Sequence, residues 1–355
     1  MSANLNPKES ATVTPLSQDG DGDVSERASI DRPPSSHEGL PPSKVYHPLA
    51  FPVLALLIPG SIMGALARLG LQALATYEGQ SIFPLAYAQS LGCLIMGFCL
   101  AIKEPFGLFY GPLYTAFTTG FCGSLTTFSG WQLDIFNSWV NAASSRRGGL
   151  RDFVDGIGKS VFTLSLSLGS VAFGMRLGHA TKPYLRAPSP LKRTPRYAIS
   201  VVSVLCLAAV FPTFFRLPTD FRHRATAALL FAYPGVLTRY FLSLGLNPLN
   251  PSFPVGTFAA NMLGTALVAT FHVLQSTRQP PSPTSCAILQ GLIDGYCGCL
   301  TTVSTFAVEV VSFHIWKGSR YVLGSWVVAQ LLLLVILGPS FWSAHVSKTI
   351  TCSWN

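Results

Sequence analysis

The chain has 355 residues, of which 49% are hydrophobic and only 11% are charged, and its mean hydropathy is +0.42. Soluble globular proteins carry about 25% charged residues, so this chain has too few polar side chains to coat soluble domains. The composition excludes a soluble enzyme, a coiled coil and a nucleic-acid-binding module. The net charge of +9 fits a membrane protein, because the basic residues lie between apolar runs rather than along one face.

The start of the chain differs in composition from the rest. Residues 1–46 are rich in Ser, Pro, Asp and Glu and have no apolar periodicity, so we predict a disordered tail. The first apolar run begins near Pro48, which predicts that no signal peptide precedes it.

Nine apolar runs follow the tail, and each is long enough to cross about 30 Å of hydrocarbon at about 1.5 Å per residue. They lie at about residues 50–75, 82–102, 110–139, 158–178, 197–215, 225–246, 254–275, 285–314 and 320–342. We therefore predict an all-α polytopic membrane protein, embedded in a lipid bilayer, with about nine spans. Lys and Arg are slightly more frequent on the side of the N-terminus, which favours a cytoplasmic N-terminus but fixes the orientation only weakly.

The chain contains eight cysteines, enough for a disulfide framework. Seven of them lie in or beside apolar runs, without zinc-type spacing: Cys93, Cys99, Cys122, Cys206, Cys286, Cys297 and Cys299. We interpret these cysteines as small apolar residues that pack between helices.

Three short motifs occur twice in the same order, which predicts an internal repeat. The first copy contains Gly64-Ala-Leu-Ala-Arg68, Gln89-Ser-Leu-Gly92 and Gly120-Phe-Cys-Gly-Ser-Leu-Thr-Thr-Phe-Ser-Gly-Trp131. The second copy contains Gly235-Val-Leu-Thr-Arg239, Asn261-Met-Leu-Gly264 and Gly295-Tyr-Cys-Gly-Cys-Leu-Thr-Thr-Val-Ser-Thr-Phe306. Each copy comprises four apolar runs, and the fifth run belongs to neither.

The fifth run explains how the two copies are oriented. Four spans return the chain to the side where it started, so one extra span inverts the second copy relative to the first. We predict two inverted four-helix repeats joined by a linker transmembrane helix. The predicted segments are 47–180 for the first repeat, 181–222 for a basic connection and the linker helix, 223–346 for the second repeat and 347–355 for a C-terminal tail.

The third motif is unusual for the middle of a membrane helix, because glycines and hydroxyl residues crowd into a few turns. One interpretation is a small-residue packing face whose hydroxyls bond back to the preceding turn. The other is a helix broken at the membrane midplane, whose freed carbonyls and hydroxyls hold an ion. Since the motif recurs in the second copy, we favour a broken third helix in each repeat.

Arg68, Arg239 and Glu309 are charged residues inside apolar runs, where a charge costs about 2.5–3.5 kcal/mol at the helix centre. Arg68 and Arg239 lie toward the ends of their runs. Their side chains either extend to the membrane interface or have a structural or vestibule role. Glu309 lies about two turns beyond the Thr301-Thr302 pair of the third motif, and we expect it near the interface.

These motifs resemble those of the CrcB/Fluc fluoride channels, and two copies fused through a spacer helix resemble the eukaryotic fluoride export proteins (FEX). The resemblance covers about residues 50–342, and its Thr-Thr-Phe-Ser motif is highly specific. It implies an antiparallel two-lobed channel with aromatic-lined fluoride pores and a central structural Na⁺. The matching positions for the Na⁺ ligands are the carbonyl groups of Gly123, Thr126, Gly298 and Thr301.

The resemblance also implies that each of two pores pairs the first Phe of one copy with the second Phe of the other. Phe128 and Phe306 complete one such pore, and we predict that it alone conducts. The other pore is degraded, because Val303, Trp131 and Gln89 depart from the pattern. The residues expected along the fluoride pathway are Phe128, Phe306, Asn261, Ser129, Ser304, Thr127, Thr302, Tyr321 and Ser325.

The resulting functional hypothesis is a fluoride-selective channel that exports cytoplasmic fluoride passively across the plasma membrane and acts as a single chain. No nucleotide-binding loop or metal cluster in the sequence suggests energy coupling, and a catalytic dyad is not evident, so we do not expect an enzyme. The alternative is a proton-coupled secondary transporter of a small anion. That class normally carries membrane-embedded acids, and this sequence offers little beyond Glu309.

Overall fold

The computed structural model describes residues 32–33, 45–80, 82–142, 148–185, 189–217, 225–279, 281–342 and 350–352. The predicted tail therefore lies almost entirely outside the described residues. The first-repeat helices are α1 Phe51–Ala75, α2 Leu85–Ala101, α3 Lys103–Thr115, π1 Ala116–Cys122, α4 Gly123–Leu125, α5 Phe128–Trp139 and α6 Gly149–Thr181. The linker helix is α7 Arg193–Arg216. The second-repeat helices are α8 Ala227–Leu246, α9 Val255–Gln275, α10 Pro283–Gly291, π2 Leu292–Cys297, α11 Gly298–Leu300, α12 Ser304–Ser312 and α13 Ile315–Trp342.

The structure confirms an all-α polytopic membrane protein. Seven of the described helices are long and apolar enough to cross a membrane, and a pair bent by 107° after α2 adds an eighth when it is counted as one span. The prediction of nine spans requires both parts of that bent pair to cross. Its first part packs parallel to the spanning helix α6, since a β-carbon on Gly174 would meet Leu94 and one on Gly178 would meet Ala101. This packing is consistent with nine spans, but the count itself stays a prediction.

The first helices of the two repeats run in opposite directions. The hydroxyl of Tyr240 donates to the carbonyl of Pro48 (2.8 Å), and that of Tyr233 donates to the carbonyl of Leu54 (3.3 Å). As residue numbers increase towards and along α1, the numbers of the residues that they contact on α8 decrease, so the two helices are antiparallel. This is the relation that inverted repeats require.

The predicted break in the third helix occurs in both repeats. In the first repeat the helix ends at Leu125, where Thr126 is extended (φ −94°, ψ 152°), and α5 starts at Phe128. In the second repeat Thr301 is extended in the same way (φ −90°, ψ 151°), between α11 and α12. A π-helical segment precedes each break, and such segments are frequent at functional sites.

The linker helix α7 lies at the periphery. It packs mainly on α1, and its buried residues are few: Ser200, Ser203, Val210 and Phe214. Its other apolar side chains are available to lipid. This placement fits the role of a spacer that inverts the second repeat.

The main apolar core is shared between the repeats rather than confined to either. It combines Cys93, Phe128 and Val171 of the first repeat with Phe306 and Tyr321 of the second. The two repeats are therefore one packed unit, with both helix breaks inside it.

The interpretation of Cys286 as a packing residue is wrong. Cys286 forms a disulfide with Cys352, with 5.7 Å between their Cα atoms. The apolar pattern of the sequence gives no sign of this pair, because Cys352 lies after the last span and returns to the membrane surface beside α10. Of the six free cysteines, Cys206 is exposed and the other five are buried, as packing residues would be.

Candidate ion pathway at the helix breaks

The two breaks meet, and each caps the helix that follows the other. The Thr126 hydroxyl oxygen accepts the backbone N–H groups of Val303 (3.2 Å) and Ser304 (3.1 Å) at the start of α12. The Thr301 hydroxyl oxygen accepts the backbone N–H of Ser129 (3.2 Å) at the start of α5. Side-chain caps normally come from the residue before the helix, and here the other repeat supplies further caps.

Six hydroxyl groups form a buried cluster around this crossing. Four bonds link the repeats: Thr126 bonds to Thr302 (3.2 Å) and Ser304 (3.1 Å), and Thr301 bonds to Thr127 (2.9 Å) and Ser129 (3.0 Å). We define the hydroxyl cluster as Thr126, Thr127, Ser129, Thr301, Thr302 and Ser304. The structure thus brings together four residues expected along the fluoride pathway, and their role toward fluoride stays a prediction.

Gln89 and Asn261 make equivalent contacts in the two repeats. The Gln89 side-chain amide donates to the Thr127 carbonyl (2.6 Å) and accepts the Thr127 N–H (3.2 Å). The Asn261 amide donates to the Thr302 carbonyl (3.2 Å) and accepts the Thr302 N–H (2.9 Å). The replacement of Asn by Gln in the first repeat therefore preserves the contact, and both amides hold the backbone just after the break.

These amide contacts also free two of the carbonyl groups expected to bind Na⁺. In a helix, the carbonyl of residue i accepts the N–H of residue i+4. The helical donor for Gly123 is Thr127, whose N–H is taken by Gln89, and the donor for Gly298 is diverted in the same way to Asn261.

The other two expected Na⁺ ligands, Thr126 and Thr301, are extended residues outside any helix, so their carbonyl groups have no helical N–H donor. The N–H groups of Gly130 and Thr305, four residues further along, are held by the hydroxyls of Thr127 and Thr302 (3.4 Å each). Backbone carbonyl oxygens are the groups that replace the hydration shell of alkali cations in channels, so these four carbonyl groups are chemically suitable ligands for Na⁺.

Two buried guanidinium groups lie next to these carbonyls. Arg68 is 2% exposed and donates to the carbonyls of Ser124 (2.8 Å) and Gly298 (2.5 Å), and also to that of Asp294. It therefore joins a carbonyl of its own repeat to two carbonyls of the other. An ion at the four freed carbonyls would share the Gly298 carbonyl with this side chain.

Arg239 makes the corresponding contacts from the second repeat. It is 1% exposed and donates to the Cys299 carbonyl of its own repeat (3.0 Å) and to the Thr119 carbonyl of the first repeat (2.6 Å). The interpretation that these arginines extend to the membrane interface is wrong, because both side chains end at the centre of the protein. The sequence pattern could not reveal these contacts, since the carbonyls that accept them belong to the irregular backbone at the helix breaks.

A row of aromatic rings starts at the hydroxyl cluster. The ring centroids of Phe128 and Phe306 are 5.5 Å apart, and those of Phe306 and Tyr321 are 4.9 Å apart. Phe253 continues the row, 5.2 Å from Tyr321. The phenylalanines predicted to share one pore are thus direct neighbours in space.

Residues of the predicted degraded pore also lie in this region. The Trp131 ring packs edge-on against Phe128 at 5.5 Å, and its indole N–H donates to the Lys159 carbonyl (3.2 Å). Val303 is buried and offers an aliphatic side chain where the first repeat has Phe128. Which pores conduct stays a prediction.

Glu309 is a candidate functional residue for which the sequence predicted only a position near the interface. It is 5% exposed, and its carboxylate accepts hydrogen bonds from the hydroxyls of Thr257 (2.5 Å) and Tyr321 (2.9 Å). Glu309 lies one turn after Phe306 on α12, and this spacing was the sequence feature that could have placed it beside the aromatic residues. One turn beyond Tyr321, the buried Ser325 hydroxyl has no hydrogen-bond partner within the described residues.

Comparison with protein-family models gives one result that covers both repeats. The model described as "CrcB-like protein, Camphor Resistance (CrcB)" matches residues 55–175 and again residues 226–338. No solved structure matches the chain.

Curated proteins that are similar to the chain come from fungi and bacteria. "Fluoride export protein 1" of Neurospora crassa is 32% identical, over 82% of this chain and 66% of the relative. "Fluoride export protein 1" of Candida albicans is 30% identical, over 82% of this chain and 81% of the relative. "Fluoride-specific ion channel FluC" of Burkholderia mallei is 36% identical over 114 residues, which are 31% of this chain and 84% of the relative.

Proposed function

We propose that this chain, which belongs to the CrcB-like family, is a channel that exports fluoride passively through a pathway between its two repeats. The observation that carries the proposal is the approach of Phe128 and Phe306, one from each repeat, to 5.5 Å beside the hydroxyl cluster. The names of the fungal and bacterial relatives support fluoride as the ion.

The chemistry of the pathway suits a small, strongly hydrated anion. Fluoride must exchange its water for other hydrogen-bond donors, and hydroxyl groups are such donors. Ring edges carry the positive end of the aromatic quadrupole and can approach an anion. Helices α5 and α12 both begin at the hydroxyl cluster, so their N-termini add the positive ends of two helix dipoles.

Passive flow is sufficient for export. A negative cytoplasmic potential drives an anion outward by about 2.3 kcal/mol per charge per 100 mV. We place the chain in the plasma membrane because only there does passive flow remove fluoride from the cell. Since both halves of the pathway belong to one polypeptide, a single chain is the functional unit.

We further propose one conducting pore and a structural Na⁺. Phe128 and Phe306 provide the aromatic pair of that pore, whereas Val303 leaves the complementary position without a ring. Na⁺ would be held by the freed carbonyls of Gly123, Thr126, Gly298 and Thr301, and would supply positive charge at the crossing of the breaks.

One observation favours a second candidate, a proton-coupled transporter of a small anion. Glu309 is a buried membrane acid at the aromatic row, and such acids serve as proton relays in transporters. Export by this route would require protonation of Glu309 in each transport cycle.

Fluoride efflux from liposomes that contain the purified chain separates the two candidates. A channel gives rapid efflux that excludes chloride and is independent of a proton gradient, and Glu309→Gln retains this passive character. A coupled transporter gives slow efflux that follows the proton gradient and loses this dependence in Glu309→Gln. Glu78→Gln, in the exposed loop after α1, is the matched control.

A further inference from the structure

The last described residues fold back onto the membrane surface of the second repeat. The backbone N–H groups of Thr351 (3.1 Å) and Cys352 (3.3 Å) both donate to the Gln275 carbonyl at the end of α9. The Thr351 hydroxyl donates to the Thr277 carbonyl (2.7 Å). With the disulfide to Cys286, these contacts fix residues 350–352, which we name the C-terminal clamp.

The C-terminal clamp is connected to the helix break. Cys286 lies in the first turn of α10, which begins the broken third helix. The Gln275 side chain donates to Gln290 (3.0 Å), which donates to the Asp294 carboxylate (2.7 Å). The carbonyl of the same Asp294 accepts a hydrogen bond from Arg68. Covalent and hydrogen-bonded contacts therefore extend from the clamp to the crossing of the repeats.

The C-terminal clamp lies on the face opposite the start of α1. Tyr240, near the end of α8, contacts Pro48 and so shares that starting face. The next helix, α9, begins beside Asn247, which accepts the Gly256 N–H (2.7 Å). It has 21 residues and rises about 30 Å before it ends at Gln275. The clamp and the N-terminal flank are thus separated by the thickness of a membrane.

We propose that the C-terminal clamp closes by disulfide formation outside the cytosol and holds the first half of the second broken helix in its conducting position. Its effect on conduction rests on the proposed channel function. Disulfides persist in oxidising compartments, so the clamp faces outward and the N-terminal flank faces the cytosol. This orientation agrees with the slight excess of Lys and Arg on the side of the N-terminus.

The oxidation balances as an ordinary thiol–disulfide exchange. The thiols of Cys286 and Cys352 lose two protons and two electrons as the S–S bond forms. A disulfide of an oxidoreductase in the secretory pathway accepts both electrons and both protons and becomes a dithiol.

Labelling in intact cells tests the bond and its location without reference to transport. The probe is a membrane-impermeant maleimide, applied to the full chain with Cys206→Ser to remove the exposed free thiol. We expect Cys352 to be labelled only after treatment with a membrane-impermeant reductant. Labelling without reductant, or only after permeabilisation, would overturn the clamp and its orientation.

Fluoride efflux from liposomes tests the effect on conduction. We expect a reductant to lower the efflux of the wild-type chain several-fold, and to leave the already slow Cys286→Ser/Cys352→Ser chain unchanged. Cys206→Ser is the matched control and keeps the full response to reductant. Equal wild-type efflux with and without reductant would overturn the proposed role. If the chain conducted no fluoride at all, the proposed function would fail, while the labelling result would still decide whether the clamp exists.

Discussion

Arg68 in the first repeat donates a hydrogen bond of 2.5 Å to the carbonyl of Gly298 in the second, 230 residues along the chain. Arg68 also donates to the carbonyl of Asp294, and Arg239 donates to the carbonyl of Thr119, the equivalent position of the first repeat. Such an exchange of equivalent contacts is what a two-fold relation produces. The glycine at position 298 is required for it, since a β-carbon there would collide with the Arg68 guanidinium.

Removal of either buried arginine is expected to destabilise the protein. Arg68→Ala and Arg239→Ala leave buried carbonyl groups without their charged donor, which costs about 2–5 kcal/mol of unfolding free energy. Thermal unfolding of the purified chain in detergent measures the loss. Arg193→Ala, at an exposed position in the first turn of α7, is the control. If the arginine variants unfolded at the same temperature as this control, the structural role would be refuted.

The threonine caps predict a difference between two substitutions at one site. Thr126→Val removes the hydroxyl that accepts two backbone N–H groups of α12, so we expect a loss of about 1–3 kcal/mol in stability and slower fluoride efflux. Thr126→Ser keeps the hydroxyl and should retain most of both. If Thr126→Ser is as damaging as Thr126→Val, the methyl group beside Gly92 matters more than the cap.

The amide contacts predict that Asn261 tolerates Gln better than an isostere without hydrogen bonds. Asn261→Gln can form the pair of bonds that Gln89 forms with Thr127, whereas Asn261→Leu leaves the Thr302 backbone unsatisfied. We expect Asn261→Leu to lose fluoride resistance in a fluoride-sensitive yeast strain and Asn261→Gln to keep part of it. Gln89→Leu removes the equivalent contacts with Thr127, so we expect it to destabilise the protein and to lower fluoride resistance in the same assay. Equal growth of the two Asn261 variants would contradict this explanation.

Removal of Na⁺ tests the freed carbonyls. We expect fluoride efflux from liposomes to slow when Na⁺ on both sides is replaced by N-methyl-D-glucamine, a cation too large to bind among backbone carbonyls. Restoring Na⁺ should restore the rate. Efflux that is unaffected by the exchange would indicate that Arg68 and Arg239 alone provide the positive charge at the breaks.

Much of the fold could be predicted from the chain itself. The apolar runs and the repeated motifs indicated the membrane class, the two repeats and the breaks, because bilayer thickness and recurring glycines constrain the sequence directly. The repeated Gly64 and Gly235 lie against the backbone of π1 and π2, at Phe121 and Tyr296, where a β-carbon would collide with a carbonyl oxygen.

Contacts made by ordinary-looking residues could not be predicted. The placement of Arg68 and Arg239 depends on carbonyls beside the helix breaks, 50 or more residues away along the chain. The bond between Cys286 and Cys352 depends on where the chain returns after its last span. The contacts of Glu309 could not be predicted because its partners, Thr257 and Tyr321, come from two other helices.

The central claim, a single fluoride pore at Phe128 and Phe306, is tested most directly by fluoride efflux from liposomes that contain Phe306→Ile or Val303→Ala. Phe306→Ile removes the ring that lies between Phe128 and Tyr321, so efflux should fall to the level of empty liposomes. Val303→Ala shortens a side chain of the complementary, ring-less position and should leave efflux close to that of the unmodified chain. Lost efflux in Val303→Ala together with normal efflux in Phe306→Ile would contradict the account.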